Sequence, residues 1–119
     1  MEPIVSRPGE GERHDRADGY RLIRAETEQL SVIEFSFDET LVVEPHVHPD
    51  HVDSFFVLEG EVEFTLGEET VVLGPGSFVA APIGARHGFR GTAGRARMLN
   101  FHAPNADFTE LIRRTSRTD

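Results

Sequence analysis

A chain of 119 residues with 38% hydrophobic residues and nine phenylalanines is long enough to form one domain around a hydrophobic core. The chain has no cysteine, which excludes disulfide bonds, thiolate metal ligands and a thiol nucleophile. Its net charge of -9 disfavours contact with a phosphate backbone, so we expect no nucleic-acid partner. No apolar segment is long enough for a signal peptide or a membrane span, so we expect a cytoplasmic protein without a membrane partner.

Two regions of different composition follow one another at the start of the chain. Residues 1–19 are rich in glycine, proline and charge, which predicts a mobile arm or an edge segment. Residues 20–104 instead alternate short apolar stretches with glycine, proline and acidic turn residues. The stretch "QLSVIEFSF" puts Ile33, Phe35 and Phe37 on one face of a strand. About eight or nine such strands predict an all-β sandwich or barrel.

The last part of the chain, residues 105–119, has a different pattern. Pro104 and Asn105 form a turn-like start, and Phe108, Leu111 and Ile112 then follow at helical spacing. We predict one short helix that packs its apolar stripe on the barrel and is followed by a polar tail.

Three histidines and an aspartate have the spacing of a metal site. His46 and His48 lie two residues apart, so both imidazoles point to the same side of a predicted strand. Asp53 begins the next apolar strand after a short break, and His87 is the best remaining candidate for a further nitrogen ligand. Imidazole and carboxylate ligands suit a divalent ion such as Fe, Mn, Ni, Co, Cu or Zn, and they do not suit calcium.

Two motifs in the chain resemble those of the cupin superfamily, small jelly-roll proteins. The family pattern G-x5-H-x-H-x3,4-E-x6-G aligns with Thr40, His46, His48, Asp53 and Gly60, and Thr40 replaces the first glycine. The second pattern, G-x5-P-x-G-x2-H-x3-N, aligns with Gly76, Pro82, Gly84, His87 and Gly91, and Gly91 replaces the final asparagine. The resemblance covers about residues 20–104. It implies a double-stranded β-helix, a cupin barrel, with a divalent transition metal held by His46, His48, Asp53 and His87.

Asp53 stands where the family pattern has glutamate. Aspartate is shorter by one methylene, so Asp53 must either draw its strand closer to the metal or lie back from it. The resemblance implies that the residue at this position can also serve as a catalytic base. We therefore predict two roles for Asp53, as a metal ligand and as a catalytic residue, and the shorter side chain puts the second role in question.

Other polar residues near the motifs leave alternatives open. His51 could ligate the metal beside or instead of Asp53, line the mouth of the pocket, or be solvated. Asn100 and His102 share one face of the last strand and either line the pocket or face outwards. Arg90 could contact a carboxylate on a ligand, although a surface position is the simpler interpretation.

Three functions are compatible with these features. The first is a dioxygenase-like metalloenzyme that acts on a small molecule and resembles single-domain quercetin dioxygenases. The second is a redox-neutral metal-dependent isomerase, cyclase or lyase. The third is a protein that binds a small molecule without turnover.

We also expect a homodimer. A short jelly roll leaves strand edges that are usually covered in native proteins. Phe56 and Leu58 lie on the side of their strand opposite Asp53 and need a partner surface, which a second subunit could supply.

Overall fold

The computed structural model describes residues 2–116. In chain order its elements are β1 (Glu12–Arg16), β2 (Gly19–Glu26), β3 (Ser31–Phe37), β4 (Val42–His46), β5 (Val52–Glu59), β6 (Val62–Leu66), β7 (Glu69–Leu73), β8 (Phe78–Ala81), β9 (His87–Gly91), β10 (Ala96–Ala103) and α1 (Phe108–Thr115). The predicted all-β fold with a short C-terminal helix is confirmed. Residues 117–119 of the predicted polar tail lie outside the described residues.

The strands form two antiparallel sheets that face each other. The six-stranded sheet has the order β1-β2-β3-β10-β5-β8, and the four-stranded sheet has the order β4-β9-β6-β7. Strands β3 and β10 pair although more than fifty residues separate them in sequence. This arrangement is the jelly roll that the two motifs imply.

The core consists of side chains from the inner faces of both sheets. Ile33, Phe35 and Phe37 are buried on β3, which confirms the predicted alternation. Phe89 on β9 lies centrally among the aromatic rings, with centroids 5.4 Å from that of Phe55 and 6.0 Å from those of Phe35, Phe37 and Phe64. Such aromatic contacts combine large apolar burial with edge-on geometry.

Strand β1 lies in the charged segment before residue 20. It pairs with β2 in register from Glu12–Ile23 to Arg16–Gly19 and forms one edge of the larger sheet. No helix in the described part of the chain is long and apolar enough to cross a membrane.

Helix α1 closes one side of the sandwich. Ile112 is buried in the core, and Phe108 packs against the core from the first turn of the helix. Arg113 anchors the helix to the larger sheet: its guanidinium donates to Glu12 on β1 at 2.8 and 3.0 Å and to Glu26 on β2 at 2.7 and 3.0 Å. The helix therefore has both an apolar and an ionic attachment to the barrel.

Candidate metal centre

Three strands and one loop bring the predicted ligands together. His46 ends β4 and His87 begins β9, and the two residues are paired in register across the four-stranded sheet, so their ring centroids are 4.5 Å apart. His48 lies in the loop after β4, and Asp53 lies on β5 of the other sheet. One donor atom from each of the four residues lies within 4.8 Å of the other three. The sequence-predicted group is thus assembled as one cluster.

Backbone carbonyls fix the orientation of two of the imidazoles. His46 Nδ1 lies 2.7 Å from the carbonyl oxygen of Glu44, and His87 Nδ1 lies 2.9 Å from that of Ala85. A carbonyl only accepts hydrogen bonds, so each Nδ1 carries a proton and donates it. Each Nε2 therefore faces the cluster, and its lone pair would be available to a metal when the ring is neutral, as in histidines that bind metals.

The distances inside the cluster fit a shared cation. His46 Nε2 lies 3.2 Å from His48 Nε2, and Asp53 Oδ2 lies 3.2 Å from His48 Nε2 and 2.9 Å from His87 Nε2. Metal–donor bonds of about 2.1 Å place neighbouring ligands roughly 3 Å apart. One proton satisfies only one of these contacts, whereas an ion between the four atoms satisfies all of them. The donor set and its spacing therefore fit a divalent transition metal.

Asp53 is ionised in this setting. Its side chain is buried, and Asn100 Nδ2 donates to Oδ1 at 2.6 Å. Burial raises the pKa of the Asp53 carboxyl, but His102 and His87 beside its oxygens outweigh burial and hold the pKa well below its usual range. The cluster thus has a permanent negative charge facing its imidazoles.

The histidines differ in their protonation. Burial, together with the positive charges of neighbouring imidazoles, lowers the pKa of His48 to about 4 despite the nearby Asp53. Burial also acts to lower the pKa of His87, but its hydrogen bonds to Asp53 and the Ala85 carbonyl raise it overall. His48 is consequently neutral at pH 7, the form that ligates a metal.

A cavity of about 600 Å³ opens onto the cluster. Its lining includes His46, His48 and Asp53 from the cluster together with an apolar wall. The main apolar residues are Phe35, Leu41, Val43, Phe89, Phe108 and Ile112. Its size and largely apolar lining are typical of sites for small molecules.

The structure shows where the residues lie for which the sequence left more than one position open. His51, Asn100 and His102 are buried and line the cavity. The four-residue cluster does not include His51, whose ring instead lies against His48 at 4.1 Å. Arg90 lies on the exposed face of β9, where it forms an ion pair with Glu63, and this matches the surface interpretation.

Sequence reasoning did not assign two features of this site. Helix α1 supplies part of the cavity wall, and Phe108 stacks on His102 at 3.9 Å with an angle of 12°. Arg21 also lines the cavity although it is 2% exposed, and its guanidinium is bound to Asp18 at 3.0 Å. One sequence signal pointed to the role of α1 in the cavity wall. The apolar stripe of the helix follows directly after the strand that carries Asn100 and His102.

A jelly roll with a cluster of histidines and a carboxylate inside its barrel defines a cupin. Residues 35–102 match the family model of the cupin domain, and the chain belongs to that family.

Individual relatives agree with this assignment. Quercetin 2,3-dioxygenase from Bacillus subtilis (strain 168) is 27% identical over 103 residues, which cover 83% of this chain, and the chain spans only 31% of the length of that relative. The structure of KdgF from Halomonas sp. superposes with a TM-score of 0.77 at 26% identity, covering 89% of this chain and 97% of that one. The DMSP lyase DddQ from Ruegeria pomeroyi DSS-3 gives a TM-score of 0.59 at 27% identity, covering 68% of this chain and 41% of that one.

Proposed function

We propose that this chain is a metal-dependent, dioxygenase-like cupin enzyme that acts on a small, largely apolar molecule with oxygen donors. The observation that carries the proposal is the convergence of four donor atoms within 4.8 Å beside an apolar cavity of about 600 Å³. His46, His48, His87 and Asp53 would hold the ion. The similarity to quercetin 2,3-dioxygenase adds support for this reaction class.

The residues around the ion would each have a defined task. A bound transition metal supplies polarisation of substrate oxygens and, if redox-active, electron exchange with dioxygen. The carbonyls of Glu44 and Ala85 keep His46 and His87 turned towards the ion. Asn100 holds the Asp53 carboxylate. The apolar wall, including Phe89 and Phe108, excludes water from the substrate.

A redox-neutral reaction is the second candidate. The similarity to the DMSP lyase DddQ favours it, because that protein is named for a lyase reaction. The same four ligands suit an ion that acts only as a Lewis acid. This candidate predicts turnover without consumption of dioxygen.

The first experiment is elemental analysis of untagged protein purified without chelators. We expect about one equivalent of a transition metal in the wild type, and loss of that metal in His46→Ala and His87→Ala with an unchanged β-rich circular dichroism spectrum. His14→Ala is the matched control, because His14 lies on β1 and contacts Glu12 and Ser116. Retention of full metal content in either ligand variant would contradict the assignment.

Oxygen consumption then separates the two reaction classes. We expect the metal-loaded protein to consume dioxygen with catechols or flavonols in an oxygen electrode. Turnover of an added substrate without oxygen uptake would favour the redox-neutral candidate. Absence of metal, even after reconstitution, would leave a cupin that only binds a small molecule.

We further propose that the protein is a homodimer. Strand β7 and strand β8 are edge strands of their sheets and are joined by the turn at 74–77. Val72 on β7 and Phe78 on β8 are 49% and 59% exposed. Edge strands with exposed apolar side chains are usually covered in native proteins, and a second copy of this chain would cover them.

A further inference from the structure

Two buried histidines beside the metal centre have ring nitrogens without hydrogen-bond partners. His51 and His102 are 6% and 2% exposed, and both line the cavity. Within residues 2–116, His51 Nε2 and His102 Nδ1 have no hydrogen-bond partner, whereas His102 Nε2 lies 3.2 Å from Asp53 Oδ1. Buried polar atoms of this kind are nearly always satisfied in folded proteins. A polar group on a molecule in the cavity would satisfy them.

Asp50 determines what His51 can offer to such a molecule. His51 Nδ1 lies 2.7 Å from Asp50 Oδ1, and a carboxylate only accepts hydrogen bonds. Nδ1 therefore carries a proton, and in the neutral tautomer this leaves Nε2 with the lone pair. His51 Nε2 is thus an acceptor that suits a hydroxyl donor.

Neighbouring rings hold this acceptor in place. The His51 ring packs against that of His48, at 4.1 Å, and that of His102, at 4.8 Å, and these two rings are 5.5 Å from each other. His102 also stacks on Phe108 of α1, at 3.9 Å. A ring packed against two buried neighbours loses little further freedom when a ligand binds, which favours selective recognition.

The position of His48 connects this acceptor to the metal centre. His48 is a member of the four-residue cluster and also the stacking partner of His51. The rings of His48 and His51 are 4.1 Å apart. A ligand atom at the metal centre and one beside His51 would therefore be close neighbours in the same ligand. We infer that His51 is a specificity-determining residue that accepts a hydrogen bond from one hydroxyl group of an aromatic vicinal diol, whose adjacent oxygen binds at the metal centre. Only the second contact rests on the proposed function.

The test compares catechol with phenol, which lacks the second hydroxyl. Dissociation constants of both are measured by anaerobic calorimetry on the full chain, with metal content determined for every sample. We expect the preference for catechol to fall about fivefold to tenfold in His51→Leu, the loss of one hydrogen bond. His51→Gln, whose amide oxygen can accept the same bond, should restore part of the preference. His14→Leu, outside the cavity, should leave it unchanged.

The ratio of the two constants separates this role from a structural one, because a distorted cavity weakens both ligands. An unchanged preference in His51→Leu would assign the second hydroxyl to metal chelation and overturn the inference. Equal binding of catechol and phenol by the wild type would also overturn it. Protein without metal would refute the proposed function but not the inference about His51. In that case a catechol preference of the metal-free chain that disappears in His51→Leu would still support the acceptor role.

Discussion

Asp53 combines more contacts than any other residue of the candidate centre. One oxygen faces His48 and His87, and the other accepts a hydrogen bond from Asn100. The register of β5 and β10 places Asp53 directly opposite His102. The shorter aspartate side chain therefore reaches the cluster because its strand lies deep in the barrel, where the residue is 4% exposed.

Replacement of Asp53 by asparagine separates the two roles predicted for it. The variant keeps the shape and an acceptor oxygen for Asn100 but removes the negative charge of the cluster. Loss of a residue that only supports a metal ligand lowers metal affinity by up to about one-hundredfold. Asp53 is proposed as a ligand itself, so we expect metal affinity to fall by more than that. Competition with a chromogenic chelator measures it. Asp50→Asn is the matched control, and it should retain the metal.

Retention of the metal in Asp53→Asn would favour the second role predicted for Asp53, that of a catalytic base. If Asp53→Asn retained the metal but lost turnover, Asp53 would be a base rather than a ligand. The low pKa of the Asp53 carboxyl makes it a weak proton acceptor, and we therefore expect loss of metal.

Residue spacing predicted the cluster but not the residues around it. The spacing of His46 and His48 and the position of His87 after a turn led to the group of residues that the structure brings together. The last strand, "ARMLNFH", has apolar residues on both faces, since Met98 is buried and Leu99 is half-buried. Alternation could not decide which face of that strand points inwards, so the placement of Asn100 and His102 required the structure.

At the scale of elements, the contact between β4 and β9 sets the distance between two ligands. Gly88 follows His87, and a Cβ atom built on it would lie 2.7 Å from the carbonyl oxygen of Val43 and 2.8 Å from the nitrogen of Pro45. Both atoms belong to the backbone of β4, which cannot move aside as a flexible side chain can. The close approach of the two strands therefore requires glycine at this position.

Gly88→Ala should separate His46 from His87 and weaken metal binding. We expect a loss of affinity of about tenfold or more, because small displacements of ligand supports have effects of this size. The fold should remain, as monitored by circular dichroism. Gly74→Ala is the matched control, since a Cβ atom there meets nothing within 4 Å. Equal metal affinity in both variants would show that β4 adjusts without cost.

Helix α1 depends on an ionic contact that responds to acid. Hydrogen bonds from Arg113 and then His14 lower the pKa of Glu12 from 4.5 to about 2. A lowered carboxyl pKa stabilises the folded state above the unfolded pKa, and that stabilisation is lost as pH falls through the folded pKa. The contribution of this contact should therefore decline between about pH 4.5 and pH 2.

Arg113→Gln tests this contact. We expect its free energy of unfolding at pH 7 to be lower than that of the wild type by at most about 1 kcal/mol, because the partners are partly exposed. The difference should shrink as the pH is lowered. Urea unfolding followed by circular dichroism suits a chain without tryptophan. Arg114→Gln is the control, and a pH-independent difference for Arg113→Gln would contradict the role of Glu12.

Strand β1 shows why the sequence left two alternatives open for residues 1–19, a mobile arm or an edge segment. Its sequence, "ERHDR", has no apolar alternation. It is stabilised by pairing with β2 and by the ion pairs of Glu12 with Arg113, which lies 101 residues further along the chain. Local pattern cannot report contacts over such distances.

For the molecule as a whole, periodicity predicted strands but not their order. Strand β3, near the start of the chain, pairs with β10, the last strand. Nothing in the sequence of either strand alone specifies that partner. The two histidine motifs supplied the jelly-roll topology through the resemblance to cupins. Composition and turn residues correctly limited the fold to the all-β class.

The oligomeric state is a prediction at this same scale. We expect size-exclusion chromatography with light scattering to give a particle of twice the chain mass of 13.3 kDa. Phe78→Glu on the exposed edge should shift the equilibrium towards monomer, because it places a charge in an apolar contact. Glu68→Gln in the neighbouring hairpin is a control. A monomeric wild type would exclude the homodimer.

The position of helix α1 has a practical consequence. The strands and the loop after β4 carry the proposed ligands, whereas Phe108, Leu111 and Ile112 of the helix form a separate wall of the same cavity. One wall of the cavity is thus encoded in a different part of the chain from the proposed ligands. Variants randomised at these helix positions can therefore be screened for altered small-molecule binding while the proposed ligands are left unchanged.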